Sequence, residues 1–154
     1  MSGTDKTGQP AGRRIVETTL RAFTGYNMKR AFIVMQADVI RALEPFGLRM
    51  VTYSSLCMIG DNPGLSQSQL AGALAIERPN LVVIVDELER RGLISRDRVP
   101  TDRRTYALRL TDEGARLLAQ ASEAVRAHDA KMTAGVTPEE AEVLIAALRK
   151  IEKN

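Results

Sequence analysis

Residues 65–111 place two short helical patterns ahead of an arginine-rich alternating run, a succession that few folds accommodate. The first pattern opens at Leu65-Ser66-Gln67-Ser68-Gln69-Leu70. Ser66 is positioned to accept from the Gln69 backbone N–H while the Gln69 side chain returns to Ser66, with Leu65 and Leu70 clasping each other across the cap. Ala71, Leu74 and Ile76 continue a short apolar face that breaks near 75–77, too soon for an independent helix, so the break reads as a turn. A second helix is predicted over 78–91, with Pro79 in its first turn, where a missing N–H costs little, and Gly92 just past its end as a left-handed cap. At about 100° per residue, Leu81, Ile84, Val85 and Leu88 share one face, Val83 and Arg90 lie almost opposite, and Asn80 sits on a flank near the N-terminal end. A β-branched apolar residue at Val83 suits contact with a thymine methyl. It is equally the kind of single exposed apolar residue found on any surface.

Beyond Leu93-Ile94, the segment Ser95-Arg96-Asp97-Arg98-Val99 leads to a turn at 100–104 and then to the alternating run Thr105-Tyr106-Ala107-Leu108-Arg109-Leu110-Thr111. Tyr106, Leu108 and Leu110 fall on one face, as a half-buried strand requires. This hairpin carries Arg96, Arg98, Arg103, Arg104 and Arg109 against Asp97 and Asp102, a net +3 that equals the formal charge of the whole chain. A charge run is most often a solvated face. Arginines at a hairpin tip beside a helix-turn-helix are also what a narrow minor groove attracts. The expected fold is mainly α with a small β-hairpin wing: a winged helix-turn-helix over about 48–111, flanked by helices over about 15–46 and 112–154.

Composition excludes several alternatives. The 154 residues, 44% hydrophobic and 27% charged, suffice for one domain with a core. No run approaches the ~18 apolar residues of a membrane span and no signal-peptide pattern opens the chain, so a cytoplasmic location is expected. One cysteine, Cys57, excludes an intramolecular disulfide, and with His128 alone beside it no metal or other cofactor is expected. Aromatics make up 4% with no Trp, too few for a platform that stacks single-stranded bases. Duplex DNA is the better partner.

Residues 1–14 are nearly free of apolar side chains and have the composition of a disordered tail, with Arg13 and Arg14 as a potential basic arm. Residues 15–46 carry a long helical pattern in which Phe32, Met35, Val39, Ile40 and Leu43 recur at helical spacing, and Gly25 is a point of division. A shorter helix over 52–60 presents Tyr53, Leu56 and Ile59 and contains Cys57, with no cation near it in sequence to activate the thiol. Thr111 caps a long helix reaching about 133, on which Ala115, Leu118, Ser122 and Val125 trace one stripe and Leu117, Ala121, Ala124 and His128 another. Thr137-Pro138-Glu139-Glu140 opens the last helix with an N-cap, a first-turn proline and a capping Glu, after which Ala141, Leu144, Ile145, Leu148 and Ile151 share one face.

The runs 65–71, 85–94 and 102–114, with Leu81, resemble the MarR family of winged-helix transcription regulators; the wing signature is an Asp, an Arg two on, then Leu-x-Leu-Thr. The resemblance implies a homodimer in which the first and last helices interleave, Arg78, Asn80 and their neighbours enter the major groove, the wing arginines reach the minor groove, and Asp102 orients Arg104. Ala75 departs from the family, which usually has Gly in that turn, and so do Val82 and Val83, where polar or basic residues are common. The resemblance further implies a small aromatic or anionic effector, phenolic or carboxylate, in a cleft offering Phe32, Met35, Tyr53 and Met58, all of which are also ordinary core residues.

The function expected is therefore sequence-specific binding of double-stranded DNA by a homodimeric regulator, most simply a repressor, on a pseudo-palindromic operator. Its expected DNA contacts are Ser66, Gln67, Arg78, Asn80, Val83, Arg96, Arg98, Asp102, Arg103 and Arg104. A winged-helix protein-interaction module that has lost DNA binding is the alternative. An enzyme is disfavoured, because the chain lacks a phosphate-cradling glycine loop and a paired catalytic constellation.

Overall fold

The structure is a computed structural model that describes residues 15–154 apart from Thr101, and of Asp102, Arg103 and Arg104 the backbone alone. The expected tail over 1–14 lies outside the described residues. The chain divides into two compact units, Met1–Val34 and Met35–Asn154.

In the first unit, helix α1 (Thr18–Arg21) is followed by the start of α2 (Thr24–Leu43). The division falls at 22–23, just ahead of Gly25. The Asn27 amide donates to the Arg21 and Phe23 carbonyls at 2.8 and 2.9 Å, the first of them an acceptor that the end of α1 leaves open. The Tyr26 hydroxyl donates to Glu17 at 2.7 Å and so holds the N-cap residue of α1 against α2.

The second unit continues α2 into a 3₁₀ turn (Glu44–Phe46), then α3 (Met50–Asp61), β1 (Leu65–Ser66), α4 (Gln67–Ala73), α5 (Arg78–Arg90), β2 (Ile94–Val99), β3 (Asp102–Leu110), α6 (Asp112–Met132) and α7 (Pro138–Glu152). Its core gathers Leu43, Leu56, Ile59, Leu70, Leu81, Val85, Leu88 and Leu108, each almost wholly shielded from solvent. Ser66 caps α4 as expected, its hydroxyl accepting from Gln69 N at 3.2 Å while Gln69 Oε1 accepts from Ser66 N at 2.9 Å.

Helices α4 and α5 end in the same way. After α4 the Ala75 and Ile76 N–H groups donate back to Gly72 and Ala71, and after α5 those of Gly92 and Leu93 donate to Glu89 and Leu88. Both are Schellman closures, which need a left-handed residue, and Gly92 supplies it at φ 70°. At the other closure Ala75 adopts φ 52°.

The sheet is antiparallel in the order β1-β3-β2, with Leu65 opposite Leu108, Ile94 opposite Leu110 and Arg98 opposite Tyr106. Strand β1 has no counterpart in the sequence reading, because two residues show no period. Leu108 is buried as the alternation predicts, yet Tyr106 on the same face is exposed, since the hairpin runs beyond the edge of the core.

Strand β3 enters α6 through Thr111, which accepts from Gly114 N at 3.0 Å and donates to the Gly92 carbonyl at 2.6 Å. Gly114 is required here, because a Cβ would stand 1.9 Å from the Leu93 carbonyl oxygen. Of the two stripes on α6, the second supplies the buried residues Ala121 and His128. Buried His128 is bonded through Nδ1 to Asp38 Oδ2 at 2.9 Å, and Lys131 donates to Asp38 Oδ1 at 2.8 Å. Those two bonds, His128 first, hold the Asp38 carboxyl down at about 2. With its folded pKa depressed, Asp38 contributes stability above the ordinary carboxylate range and loses it as pH falls toward 2. Helix α7 opens with the expected box, Thr137 accepting from Glu140 N at 3.2 Å and Glu140 Oε2 accepting from Thr137 N at 2.9 Å. No residue of α7 is buried, and Leu144, Ile145, Leu148 and Ile151 lie open.

Two opposite effects are expected from adding or removing a single Cβ. Gly114→Ala, which drives a methyl into the Leu93 backbone, should destabilise by about 2 kcal/mol or more. Ala75→Gly should stabilise by about 0.5–1 kcal/mol, since relief of a left-handed alanine, about 1–2 kcal/mol, outweighs the glycine's extra freedom in the unfolded chain. Urea unfolding of both variants checks the signs.

Candidate nucleic-acid interface

Helix α5 is held on three sides. Leu81, Ile84, Val85 and Leu88 bury its inner face, as their spacing predicts. On one flank the Arg91 guanidinium donates to the Gly47 and Phe46 carbonyls at 2.7 and 2.9 Å, and Arg49 pairs with Glu87. On the other flank Arg96 of β2 donates through Nε to Glu89 at 2.9 Å and through Nη2 to Asp86. Partial burial opposes the Arg96 charge, and the two carboxylates more than offset it, leaving its pKa above the ordinary arginine value.

What remains outward is short and chemically mixed. Arg78, Asn80 and Arg90 are exposed, and Val82 and Val83 expose 42% and 65% of their surface, so the valine pair is open to contact. Among the described residues, none pairs with the side chains of Arg78, Asn80 or Arg90. Gln67 at the start of α4 and Arg78 at the start of α5 line one recess of about 130 Å³ with Ser68, Leu81 and Val82. Ser66 spends an oxygen lone pair on the helix cap, which leaves its hydroxyl proton to donate.

The hairpin arginines do not form one uniform patch. Arg96 is bound to α5, and Arg109 pairs with Asp97 at 3.3 Å. Arg98 is exposed and makes no ion pair with a described residue. The side chains of Asp102, Arg103 and Arg104 lie outside the described residues.

The effector candidates fall in both compact units. Phe32, in the first, is 52% exposed. In the second, Met35, Tyr53 and Met58 are half-buried, the last two packed against the core, and the Tyr53 hydroxyl donates to Ser122 Oγ at 3.2 Å. The Ser122 contact joins residues 69 positions apart and left no signal in the sequence. Among the described residues no cluster of His, Cys, Asp and Glu is placed to hold a metal ion, and no helix is long and apolar enough to cross a membrane.

The model of the MarR family matches residues 48–106. A protein of Thauera aromatica assigned as the transcriptional regulator of the hcr operon is 34% identical over 94% of this chain and 89% of its own length. Among solved structures, the transcriptional repressor CouR bound to a 23-mer DNA duplex superposes with a TM-score of 0.84 at 34% identity, covering 90% of this chain and 99% of that one. CouR from Rhodococcus jostii RHA1 bound to p-coumaroyl-CoA gives a TM-score of 0.79 at 30% identity, with 88% and 95% covered.

Cys57 is half-buried on α3, and burial pushes its thiol pKa up, with Asp61 adding to the shift. Native protein should therefore be alkylated by iodoacetamide at neutral pH far more slowly than the urea-unfolded chain. Equal rates, measured by mass, would show an accessible and activated thiol.

Proposed function

Since the chain belongs to the MarR family of transcriptional regulators, we propose that it is a homodimeric repressor of DNA that reads an operator with α5 and the wing and leaves it when an aromatic acid or its CoA thioester binds. The observation that carries this reading is the outward face of α5: Arg78, Asn80 and Val83 are exposed on a helix whose other sides are fastened. The CouR relative bound to a duplex supports it, as does the recess that Gln67 and Arg78 share. In this reading residues 48–111 form the DNA-binding part, and the segments 15–46 and 112–154 pair two copies.

The roles divide by chemistry. Asn80 is suited to bidentate pairing with adenine, Arg78 to guanine or a phosphate, and Val83 with Val82 to thymine methyls. Ser66, Gln67 and Arg98, with Arg103 and Arg104 where Asp102 orients them, supply backbone and minor-groove attraction that positions the protein and carries little sequence information. The open stripe of α7 suits a second copy of the chain, which would cover Leu144, Ile145, Leu148 and Ile151. The relatives are transcriptional regulators, so no catalytic role is assigned.

Selection of bound sequences from random duplex DNA tests the reading, with a palindrome of half-sites about one helical turn apart as the expected result. Absence of any salt-dependent duplex binding would favour the protein-interaction module instead. On the selected operator, Asn80→Ala should cost about 1–3 kcal/mol and cost little on random duplex. Paired Arg103→Ala and Arg104→Ala should weaken both, flattening the salt slope by about one unit per lost phosphate contact. Equal losses for Asn80→Ala on both duplexes would remove it from base reading.

The effector class is tested with p-coumaroyl-CoA, p-coumarate and CoA alone. The thioester or the acid is expected to raise the melting temperature and weaken the operator complex, with Phe32, Met35, Tyr53 and Met58 as the residues to vary. A panel that changes neither quantity would overturn the assignment.

A further inference from the structure

The five hairpin arginines look alike in sequence, and the structure separates one of them. Ile94, Arg96 and Arg98 alternate onto one face of β2, opposite Leu110, Leu108 and Tyr106 of β3. That face begins in the core, where Ile94 and Leu108 are 2% and 0% exposed, and ends in solvent at Arg98. Arg96 stands at the crossing point, directly opposite buried Leu108, with 21% of its side chain exposed. A cation on the core face of a strand is tolerable only when paired and hydrogen-bonded. Here the pairing comes from the neighbouring helix: Nε and Nη2 lie 2.9 and 2.7 Å from Glu89 Oε2, and Nη2 also meets Asp86.

We propose that Arg96 is a positioning residue for DNA reading: forked between Asp86 and Glu89, it sets the angle of the wing against α5 and does not itself touch DNA. The proposal rests on the DNA-binding reading above. To reach a phosphate, the guanidinium would have to leave two carboxylates and rise out of a partly buried seat, exchanging charge-assisted bonds already formed for another of the same kind. It would also uncover Asp86 and Glu89, whose like charge repels the phosphate backbone. In place, Arg96 joins the strand that carries Arg98 to the helix that carries Asn80 and Val83, so backbone attraction and base reading act in one register. Lysine lacks the planar fork that engages two acceptors at fixed angles, which accounts for arginine at this position.

The experiment compares full-length wild type, Arg96→Ala and the near-isosteric double variant Asp86→Asn with Glu89→Gln, each on the selected operator and on random duplex across a salt series. Arg96→Ala is expected to lower the ratio of specific to random affinity about ten-fold, with the salt slope on random duplex unchanged because no phosphate contact is lost. The double variant keeps Arg96 and adds net positive charge, yet should lose discrimination too, because the fork has nothing to hold. A DNA contact behaves oppositely. Arg96→Ala would flatten the slope by about one unit per protomer, and the double variant, with its arginine released, would bind both duplexes more tightly at undiminished discrimination; either result overturns the proposal. The double variant preserves shape at both sites, so the question stays decidable if Arg96→Ala does not fold. Wild type that selects no sequence would overturn the DNA-binding reading itself, whereas wild type that discriminates beside variants that discriminate equally well overturns the positioning role alone.

Discussion

Everything on the outward side of α5 depends on four apolar side chains on its hidden side. Leu81, Ile84, Val85 and Leu88 are buried against a core that also holds Leu43, Leu56, Ile59, Leu70 and Leu108, so the helix is seated by elements before and after it in the chain. Burial of this kind is strong but has no direction of its own: it resists lifting the helix more than turning it about its axis. The polar bonds supply what burial lacks. Arg91 and Arg49 hold one flank to the turn and helix that follow α2, and Arg96 holds the other to the wing. Surface polar ties add little stability, but three arginines gripping one helix at different heights remove its freedom to roll.

The parts of this fold legible in the sequence are those written in short-range code. Ser66 with Gln69, Thr137 with Glu140, Pro79 in a first turn and Gly92 after a last one each mark a helix end within a few residues, and each stands where expected. The buried face of α5 followed from spacing alone. Contacts between distant residues left no such mark. Asp38 and His128 are 90 positions apart, and nothing local distinguishes either as half of a pair. The ion pairs of Arg96 with Asp86 and Glu89 are equally unmarked, because a charge tally records sign and not partner. Strand β1 was invisible for a third reason, since two residues have no periodicity to detect.

Electrostatics within the wing are correspondingly graded. The hairpin's net charge of +3 suggests a uniformly attractive surface. Yet Arg109 shares its field with Asp97 and Arg96 with two carboxylates of α5. Among the described residues, positive charge without an ion-pair partner on the hairpin begins at Arg98, outward of the point where the hairpin leaves the core. Charge compensated in this way at the base of the hairpin fastens it to α5.

Helix α6 is fastened near both ends by different chemistry. At its start Thr111 and Gly114 lock it to the Gly92 and Leu93 carbonyls, immediately after α5; toward its far end His128 and Lys131 grip Asp38 on α2. Its 21 residues make a rod about 31 Å long. A rod of that length works as a lever: a tilt of about 3° at the Asp38 end displaces the other by roughly 1.5 Å, about the rise of one helical residue. The glycine that admits no side chain thus stands at the moving end of that lever, and the closeness of its seat against the Leu93 backbone determines how much of any tilt is handed on to α5 rather than absorbed.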